Sequence, residues 1–417
     1  MIEKNKLLIT KIILILVIYF RCNWGIVTKP TLGINLLVDV IGFAFVAFLC
    51  WNNKKDFKES ILNPAILWLV LFQGLQFVYG HFGLVFDAGM YSMQYTIMTV
   101  LPAFVAYQLL WHNRQDLIDV LSDVGGIVIL ATFVTNVCYD RLWIDALHGE
   151  FYRLGEVPGG TVIDTGNLYI LMLIPMMYSL IVNHQVKRYL FQCIVGSIGI
   201  LLAGSKSSVG PLIVVFAIML LGTSKDKKTF RRNIAIIGAV GVVGLVAIMA
   251  VPILYEVIGS RIVELFTQTG TTDYDLHTST GQRMAVLAAF KTHFPESPIF
   301  GHGFYAFKSM PYSQLEEYVE DGVVMYRNIQ THMNFMELLF SFGFVGLICY
   351  YWFPIWETIK IVRCKKGLSK LLGLAFIITF LSIDLGLDMF YKYMTPYYTY
   401  LLIYILIKID STSQEVE

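Results

Sequence analysis

Runs of apolar residues long enough to cross a lipid bilayer recur along this whole chain and restrict the folds open to it. A membrane-spanning helix needs roughly 17–25 such residues, and the 417-residue sequence is 56% hydrophobic but only 15% charged. Soluble domains carry about 25% charged residues, and a membrane β-barrel would show short alternating segments instead. The sequence therefore predicts an all-α polytopic membrane protein.

We predict about twelve transmembrane helices and one large extracytoplasmic loop before the tenth. The predicted spans cover residues 7–22, 31–51, 61–80, 91–111, 122–139, 165–183, 188–203, 208–223, 233–255, 331–356, 370–388 and 393–409. These predictions divide the chain into three regions. Residues 1–255 form spans one to nine, residues 256–330 form the large loop with short amphipathic helices, and residues 331–417 form spans ten to twelve with a cytoplasmic tail.

Lys and Arg side chains are concentrated in one alternate set of the short loops. That set includes the clusters Lys54–Lys58 and Lys225–Arg232, whereas the loops between them hold fewer cations. Because cytoplasmic loops carry the excess of Lys and Arg, both termini are predicted to be cytoplasmic. By parity, the large loop then faces outward.

The large loop contains one segment with helical periodicity. Apolar residues at helical spacing predict an amphipathic helix over residues 282–294, which Pro295 ends. Residues 314–321 carry four acidic side chains and predict a solvated stretch.

The sequence gives no grounds for a metal ion or another cofactor, and none is expected. His277, His293 and His302 lie in the loop, but their spacing fits no zinc pattern. The D-x-D sequence Asp273–Asp275 can hold a metal–nucleotide complex in other proteins, but its Thr-rich surroundings favour a solvated loop. The six cysteines lie in or beside apolar runs without a C-x-x-C pair, so no disulfide framework is predicted. No nucleic-acid partner is expected.

Cationic residues on the predicted outer side need a reason, since the positive-inside rule disfavours them there. Arg153 precedes span six, Lys206 lies in the turn between spans seven and eight, and Arg283 and Arg327 lie in the large loop. A bound diphosphate is one reason, because Arg matches phosphate oxygens and the Gly- and Ser-rich turns around Lys206 and Gly301 offer backbone N–H groups. The alternative is an ordinary interfacial residue that snorkels or pairs with an acid. For Arg283, at the start of a helix whose dipole favours an anion, we favour function.

His332 stands at the start of span ten, with Asn334 and Glu337 close behind it. A His at this position can accept a proton from a hydroxyl group near neutral pH. The alternative is a residue that only marks the interface. Glu337, five residues on, is not expected to share the helix face of His332.

Two carboxylates in span eleven point to a different class of protein. Asp384 and Asp388 are one turn apart, with Lys392 a turn further, and intramembrane carboxylates are functional candidates by default. They would form a proton or ion relay in a transporter, although Asp388 could simply pair with Lys392. Transporters commonly show paired halves with interrupted helices, a pattern not evident in this sequence.

The motifs of residues 279–346 resemble those of the O-antigen ligase and polymerase superfamily of bacterial surface-polysaccharide assembly. Members typically show an Arg that opens a helix, a P-x-x-G-x-G turn, and a His-Asn that leads into a span ending G-x-x-G. The matching elements here are Arg283, the turn Pro298–Gly303, His332, and Gly343–Gly346.

This chain departs from the family pattern at two positions. Met333 stands where Asn is common, and Lys206 stands where Arg is frequent, which keeps the charge but loses the bidentate geometry. The family's motifs identify the superfamily but separate polymerases from ligases poorly.

The resemblance implies a metal-independent glycosyltransferase of the bacterial plasma (inner) membrane, with an oligosaccharide on undecaprenyl diphosphate as donor. Arg283, Arg153, Lys206 and Arg327 would bind the diphosphate, and His332, with Arg283, would be catalytic. The supporting residues would be Gly301, Gly303, Asn334 and Glu337.

Three functions remain in order of preference. The first is a Wzy-type polymerase that joins repeat units into O-antigen, capsule or exopolysaccharide, with the lipid-linked oligosaccharide as both donor and acceptor. The second is a ligase that transfers the finished glycan to a final acceptor, and the third is a flippase for the lipid-linked oligosaccharide. Expected partners are the lipid-linked oligosaccharide and membrane lipids, with a chain-length regulator and a flippase as further candidates.

Overall fold

The chain folds into a bundle of helices, and the computed structural model describes most of its length. The described residues are 2–23, 29–52, 54–81, 99–148, 150, 152–158, 160–260, 263, 276, 279–320, 323–364, 367–387, 390 and 394–416. In chain order the principal helices are α1 (Ile2–Asn23), α2 (Lys29–Asn52), α3 (Lys54–Ile61), α4 (Pro64–His81), α5 (Leu101–Trp111), α6 (Leu117–Tyr139), α7 (Leu142–Leu147), α8 (Val162–Ile181), α9 (Val186–Ala203), α10 (Lys206–Gly222), α11 (Lys227–Ala250), α12 (Ser279–His293), α13 (Asn334–Arg363), α14 (Leu368–Asp384) and α15 (Thr395–Val416).

Long apolar helices confirm the predicted class of all-α polytopic membrane protein. Among the described residues, α2, α6, α8, α9, α11 and α13 are long and apolar enough to cross a membrane, and the pair α3 and α4, bent by 52°, is a candidate seventh. A helix coincides with each of the twelve predicted spans, although span four is described as helix only over 101–111. Helix α10 is apolar but shorter, at 17 residues.

Helix α8 forms the centre of the bundle. Its sequence is apolar on nearly all sides, the pattern of a helix surrounded by protein, and 83% of its most apolar stretch is buried. Its start is fixed by a capping box, in which the Thr161 and Asp164 side chains each bond the other's backbone N–H. Helices α6, α9 and α10 pack around α8, which brings the ends of these four helices close together.

The predicted helix in the large loop is present as α12, and it ends at His293, before Pro295. The sequence analysis missed a β-hairpin, however. Strand β1 (Gln314–Glu320) pairs antiparallel with β2 (Val323–Asn328), with Glu316 opposite Arg327. The acidic residues of β1 alone indicated only solvent exposure, whereas a hairpin depends on the pairing of two strands.

Helix α13 is broken at Gly343, and the Pro298–Gly303 turn fills the break. Gly343 has φ 64° and ψ −159°, a conformation that essentially only glycine adopts. The freed backbone groups are bonded across the contact: Phe344 N–H donates to Pro298 O at 2.9 Å and Val345 N–H to Ile299 O at 3.2 Å, while His302 N–H donates to Phe340 O at 2.8 Å and Gly303 N–H to Ser341 O at 3.1 Å. A turn of the large loop thereby becomes part of the structure of a long apolar helix.

We expect Gly343→Ala to destabilise the protein by at least ~3 kcal/mol, because the new Cβ would lie 2.2 Å from Ile299 O in a backbone conformation closed to alanine. Thermal unfolding of the purified chain in detergent measures this. The matched control is Gly244→Ala on α11, where a Cβ meets nothing within 4 Å and unfolding should be unchanged or slightly later. Equal stability of the two variants would contradict the strained contact.

Candidate functional site

A cavity of about 330 Å³ lies where the end of α9, the start of α10, the start of α12 and the end of α14 meet. Its wall contains three cations and one histidine from four separate segments of the chain. The lining residues are Arg153, Ile163, Ser205, Lys206, Ser207, Gln282, Arg283, His332, Ser382, Leu385 and Gly386. Among these described residues there is no Asp or Glu, so the wall as a whole favours an anion.

Lys206 is positioned by the tight turn between α9 and α10. Gly204 ends α9 with φ 58°, and Ser205 alone separates it from α10, which begins at Lys206. Only glycine fits at position 204, since a Cβ there would lie 2.7 Å from Val257 O. The Lys206 ammonium donates to Thr280 Oγ1 at 3.3 Å, which links the turn to the first residues of α12.

Arg153 reaches the cavity from the connection that precedes α8. Its Nε donates to the carbonyl of Ala203, the last residue of α9, at 2.7 Å, and Leu154 N–H donates to Leu202 O at 3.0 Å. The two hydrogen bonds fix this connection to the C-terminal end of α9. A cation there is favourable because the helix carries a partial negative charge at that end.

Arg283 lies in the first turns of α12, as the periodicity of the loop predicts. It is half-buried, and its Nη2 donates to the Gly386 carbonyl just beyond α14 at 3.3 Å. The bond joins the large loop to the helix bundle at the cavity wall.

His332 occupies the cavity wall with an unusual backbone. Its φ is 55°, in the left-handed region that non-glycine residues seldom adopt. Strained positions of this kind concentrate at functional sites, where the surrounding structure must hold them. His332 is held in such a conformation at the cavity wall.

Glu337 accepts a hydrogen bond from Thr331, the residue that precedes His332. It is fully buried and accepts hydrogen bonds from Thr331 Oγ1 at 3.0 Å and from Ser341 Oγ at 2.8 Å. Ser341 Oγ in turn accepts from Tyr305 N–H at 2.9 Å. The carboxylate thus connects the segment before α13 to the Gly343 break, and it acts on His332 through Thr331.

Asn334 begins α13 and belongs to a polar network beneath the cavity. Its Oδ1 accepts from Phe390 N–H at 3.1 Å, and its Nδ2 donates to Tyr351 Oη at 3.3 Å. Tyr351 donates to Asp384 Oδ2 at 2.9 Å. Asp384 is therefore buried and bonded in this network, while Asp388 and Lys392, the other members of the predicted relay, lie outside the described residues.

The structure corrects the expectation that the Gly301 turn offers backbone N–H groups to a phosphate. Gly301 N–H donates to Ser297 O at 3.0 Å, and the next two N–H groups donate to α13. Gly301 is needed instead for close approach, since a Cβ there would lie 2.5 Å from the backbone of Ser341 and Phe342, and Gly303 is needed for its φ of 112°.

Arg327 does not join the other predicted cations. It lies exposed on β2, opposite Glu316 and away from the cavity wall. The sequence could not show this, because the hairpin that leaves Arg327 exposed was not predicted.

Ser205 and Ser207 also line the cavity but were not among the predicted site residues. Their hydroxyl groups are bonded to each other at 2.8 Å on either side of Lys206. The S-K-S sequence itself was the available signal.

The two described loop histidines contact a carboxylate and an aromatic ring. His293 Nδ1 is 2.8 Å from Glu296 Oε1, and His302 stacks on Phe340 with ring centroids 4.2 Å apart. Within the described part of the chain, no group of three His, Cys, Asp or Glu side chains is placed to hold a metal ion. Residues 273–275 and His277 lie outside the described residues.

The fold and the cavity define a polytopic helical membrane protein with a cationic site built from the ends of its helices. Residues 191–351 match the model of a family described as O-antigen ligase. The match confirms the resemblance to the O-antigen ligase and polymerase superfamily, whose members are glycosyltransferase-like membrane enzymes. The matched segment includes Lys206, Arg283, His332 and the Gly343 break, but not Arg153. No curated protein matches the chain.

We expect Glu337→Ala to destabilise the protein by about 1–3 kcal/mol, because the buried Ser341 hydroxyl loses its acceptor and Thr331 Oγ1 is left with only the Met333 carbonyl at 3.2 Å. Thermal unfolding of the purified chain provides the measurement. Glu156→Ala, at an exposed carboxylate near the same cavity, is the control and should unfold like the wild type. A Glu337 variant as stable as this control would show that the bridge contributes nothing.

Proposed function

We propose that the chain is a Wzy-type polymerase that joins undecaprenyl-diphosphate-linked oligosaccharide repeat units at the outer face of the bacterial plasma membrane. One observation carries the proposal: Arg153, Lys206, Arg283 and His332, from four segments of the chain, line a single cavity whose described lining residues include no acid. The family match supports a ligase or polymerase type of function. The predicted orientation, with both termini cytoplasmic, would place this cavity at the outer leaflet.

The reaction transfers a glycan between oxygen atoms. The bond between the sugar C1 of the donor and its diphosphate oxygen breaks, and that electron pair leaves with undecaprenyl diphosphate. A hydroxyl oxygen of the acceptor sugar forms the new bond to C1, and its proton must be removed. The protein therefore has to stabilise the negative charge that develops on the diphosphate and to accept one proton.

The three cations suit the first task. Two guanidinium groups and one ammonium group, held half-buried at the cavity wall, would stabilise the leaving diphosphate electrostatically without a metal ion. Arg153 and Arg283 are each bonded to a backbone carbonyl near the C-terminal end of a helix. This anchoring fixes the charges before the substrate arrives, so little reorganisation is required during the reaction.

His332 suits the second task. An imidazole can accept a proton near neutral pH, and the strained backbone of His332 is held in place through Thr331 and Glu337. We assign His332 the role of orienting and deprotonating the acceptor hydroxyl, with Arg283 as the principal charge on the donor side.

A ligase of the same fold is the second candidate, favoured by the description of the matching family. The two functions share the donor and the chemistry and differ in the acceptor. In a polymerase the acceptor is the terminal sugar of another lipid-linked repeat, whereas in a ligase it is a final carrier.

We expect Arg283→Ala to lower polymer formation about 10²–10³-fold, the usual loss when one transition-state donor is removed. His332→Ala should lower it by a similar or larger factor, about 10²–10⁴-fold, because a proton acceptor is lost. The assay is in vitro elongation of a purified lipid-linked repeat. Arg141→Ala, at an exposed Arg just beyond the end of α6, is the control and should keep full activity. Wild-type activity in the Arg283 variant would remove that residue from the site.

The surface-polysaccharide profile of a deletion strain tests the acceptor. For a polymerase, the ladder of long chains should disappear while a single repeat remains attached to its acceptor. A full-length polymer stranded on undecaprenyl diphosphate would identify a ligase instead, and the absence of any outward-facing repeat would identify a flippase. Gel analysis of the surface glycan beside the extracted lipid-linked intermediates distinguishes the three results.

A further inference from the structure

A second basic cavity lies at the opposite end of α13 from the candidate site, and the proposed function does not use it. Its volume is about 440 Å³, and residues from α13 and α15 form most of its wall, with Pro64 at the start of α4. Beyond the break at Gly343, α13 continues as regular helix from Phe344 to Arg363, a length of about 30 Å. That length matches the hydrocarbon core of a bilayer, about 30 Å, so the second cavity belongs to the other leaflet.

Charge and aromatic residues are combined in this cavity. Its wall holds the three cations Lys360, Arg363 and Lys408 and one acid, Asp410. Burial, followed by the charge of Asp410, raises the pKa of the neighbouring Cys364 thiol to about 11. The thiol therefore stays neutral at physiological pH, and the wall itself holds three cations and one carboxylate.

Two aromatic rings form the floor beneath the cations. Trp356 and Tyr404 lie with their ring centroids 6.2 Å apart. The Lys360 ammonium lies 5.6 Å from the Trp356 ring and the Lys408 ammonium 6.0 Å from the Tyr404 ring. Lys408 also lies 3.8 Å from Glu59, whose side chain is 53% exposed. Trp and Tyr below a row of Lys and Arg are typical of the depth at which lipid head groups lie.

We infer that this cavity binds the phosphate head group of an anionic glycerophospholipid in the leaflet opposite the candidate site. The cations would contact the phosphate, the rings would lie beside the glycerol backbone, and the acyl chains would follow the apolar flanks of α13 and α15. Basic pockets between membrane helices on the cytoplasmic side are known to recognise lipid head groups. The excess of Lys and Arg in residues 360–370 predicts that this is the cytoplasmic side.

Native mass spectrometry of the full-length protein in neutral detergent tests the inference, with phosphatidylglycerol as the probe and phosphatidylcholine as the uncharged comparison. Wild-type protein should retain phosphatidylglycerol preferentially. The double variant Lys360→Gln/Arg363→Gln should bind it roughly tenfold or more weakly, since each cation near an anionic head group contributes about fivefold. The conservative variant Lys360→Arg/Arg363→Lys keeps both charges and should bind like the wild type.

The matched control is Lys227→Gln/Lys228→Gln, which removes two exposed cations at the start of α11, outside the cavity. Its affinity for phosphatidylglycerol should stay within about twofold of the wild type. Equal losses in the two Gln double variants would mean general charge attraction and would overturn the inference, as would unchanged binding in the cavity variant. Displacement of the lipid by millimolar glycerol 3-phosphate would also overturn it, because the site would then recognise a soluble phosphate. Thermal unfolding without added lipid checks that each variant is folded.

Discussion

The contact between the Pro298–Gly303 turn and the broken helix α13 is the constraint on which the rest of the site depends. A helix inside a membrane cannot leave backbone groups unbonded, because the hydrocarbon offers no substitute for them. The break at Gly343 is tolerated since the turn supplies both donors and acceptors, four backbone hydrogen bonds in all. The same contact fixes Ser341, and through Glu337 it fixes the segment that carries His332. The backbone position of His332 therefore depends on the packing between the Pro298–Gly303 turn and α13.

Two of the cations at the cavity wall are held by hydrogen bonds to backbone carbonyls at helix ends. Arg153 donates to the last residue of α9, and Arg283 donates to a carbonyl just beyond α14. Carbonyls at these ends carry partial negative charge, so they stabilise a cation without neutralising it as a carboxylate would. Three positive groups thus share one small cavity.

Much of the fold could be predicted from the sequence, because span length and charge asymmetry are properties of local segments. The helix at residues 279–293 and the helices at the twelve predicted spans belong to this class. The hairpin at residues 314–328 was missed because its stability comes from pairing between strands, and it places Arg327 outside the cavity wall. Arg153, Lys206 and Arg283 were grouped by a rule about membrane sidedness, and the structure brings them to one cavity. Their roles stay predictions, and the bridges made by Glu337 and Asn334 could not be foreseen, since they depend on contacts across the bundle.

The way in which the turn is built into α13 limits how this protein can be divided. A loop that only covered a bundle could be exchanged between relatives with little effect on the helices. Here residues 298–303 complete the hydrogen bonding of residues 340–345, so the two segments form a single structural unit. A chimaera that replaces the large loop would have to take the following helix with it, at least as far as Gly346. The loop and the helix are thus exchanged together in this part of the chain.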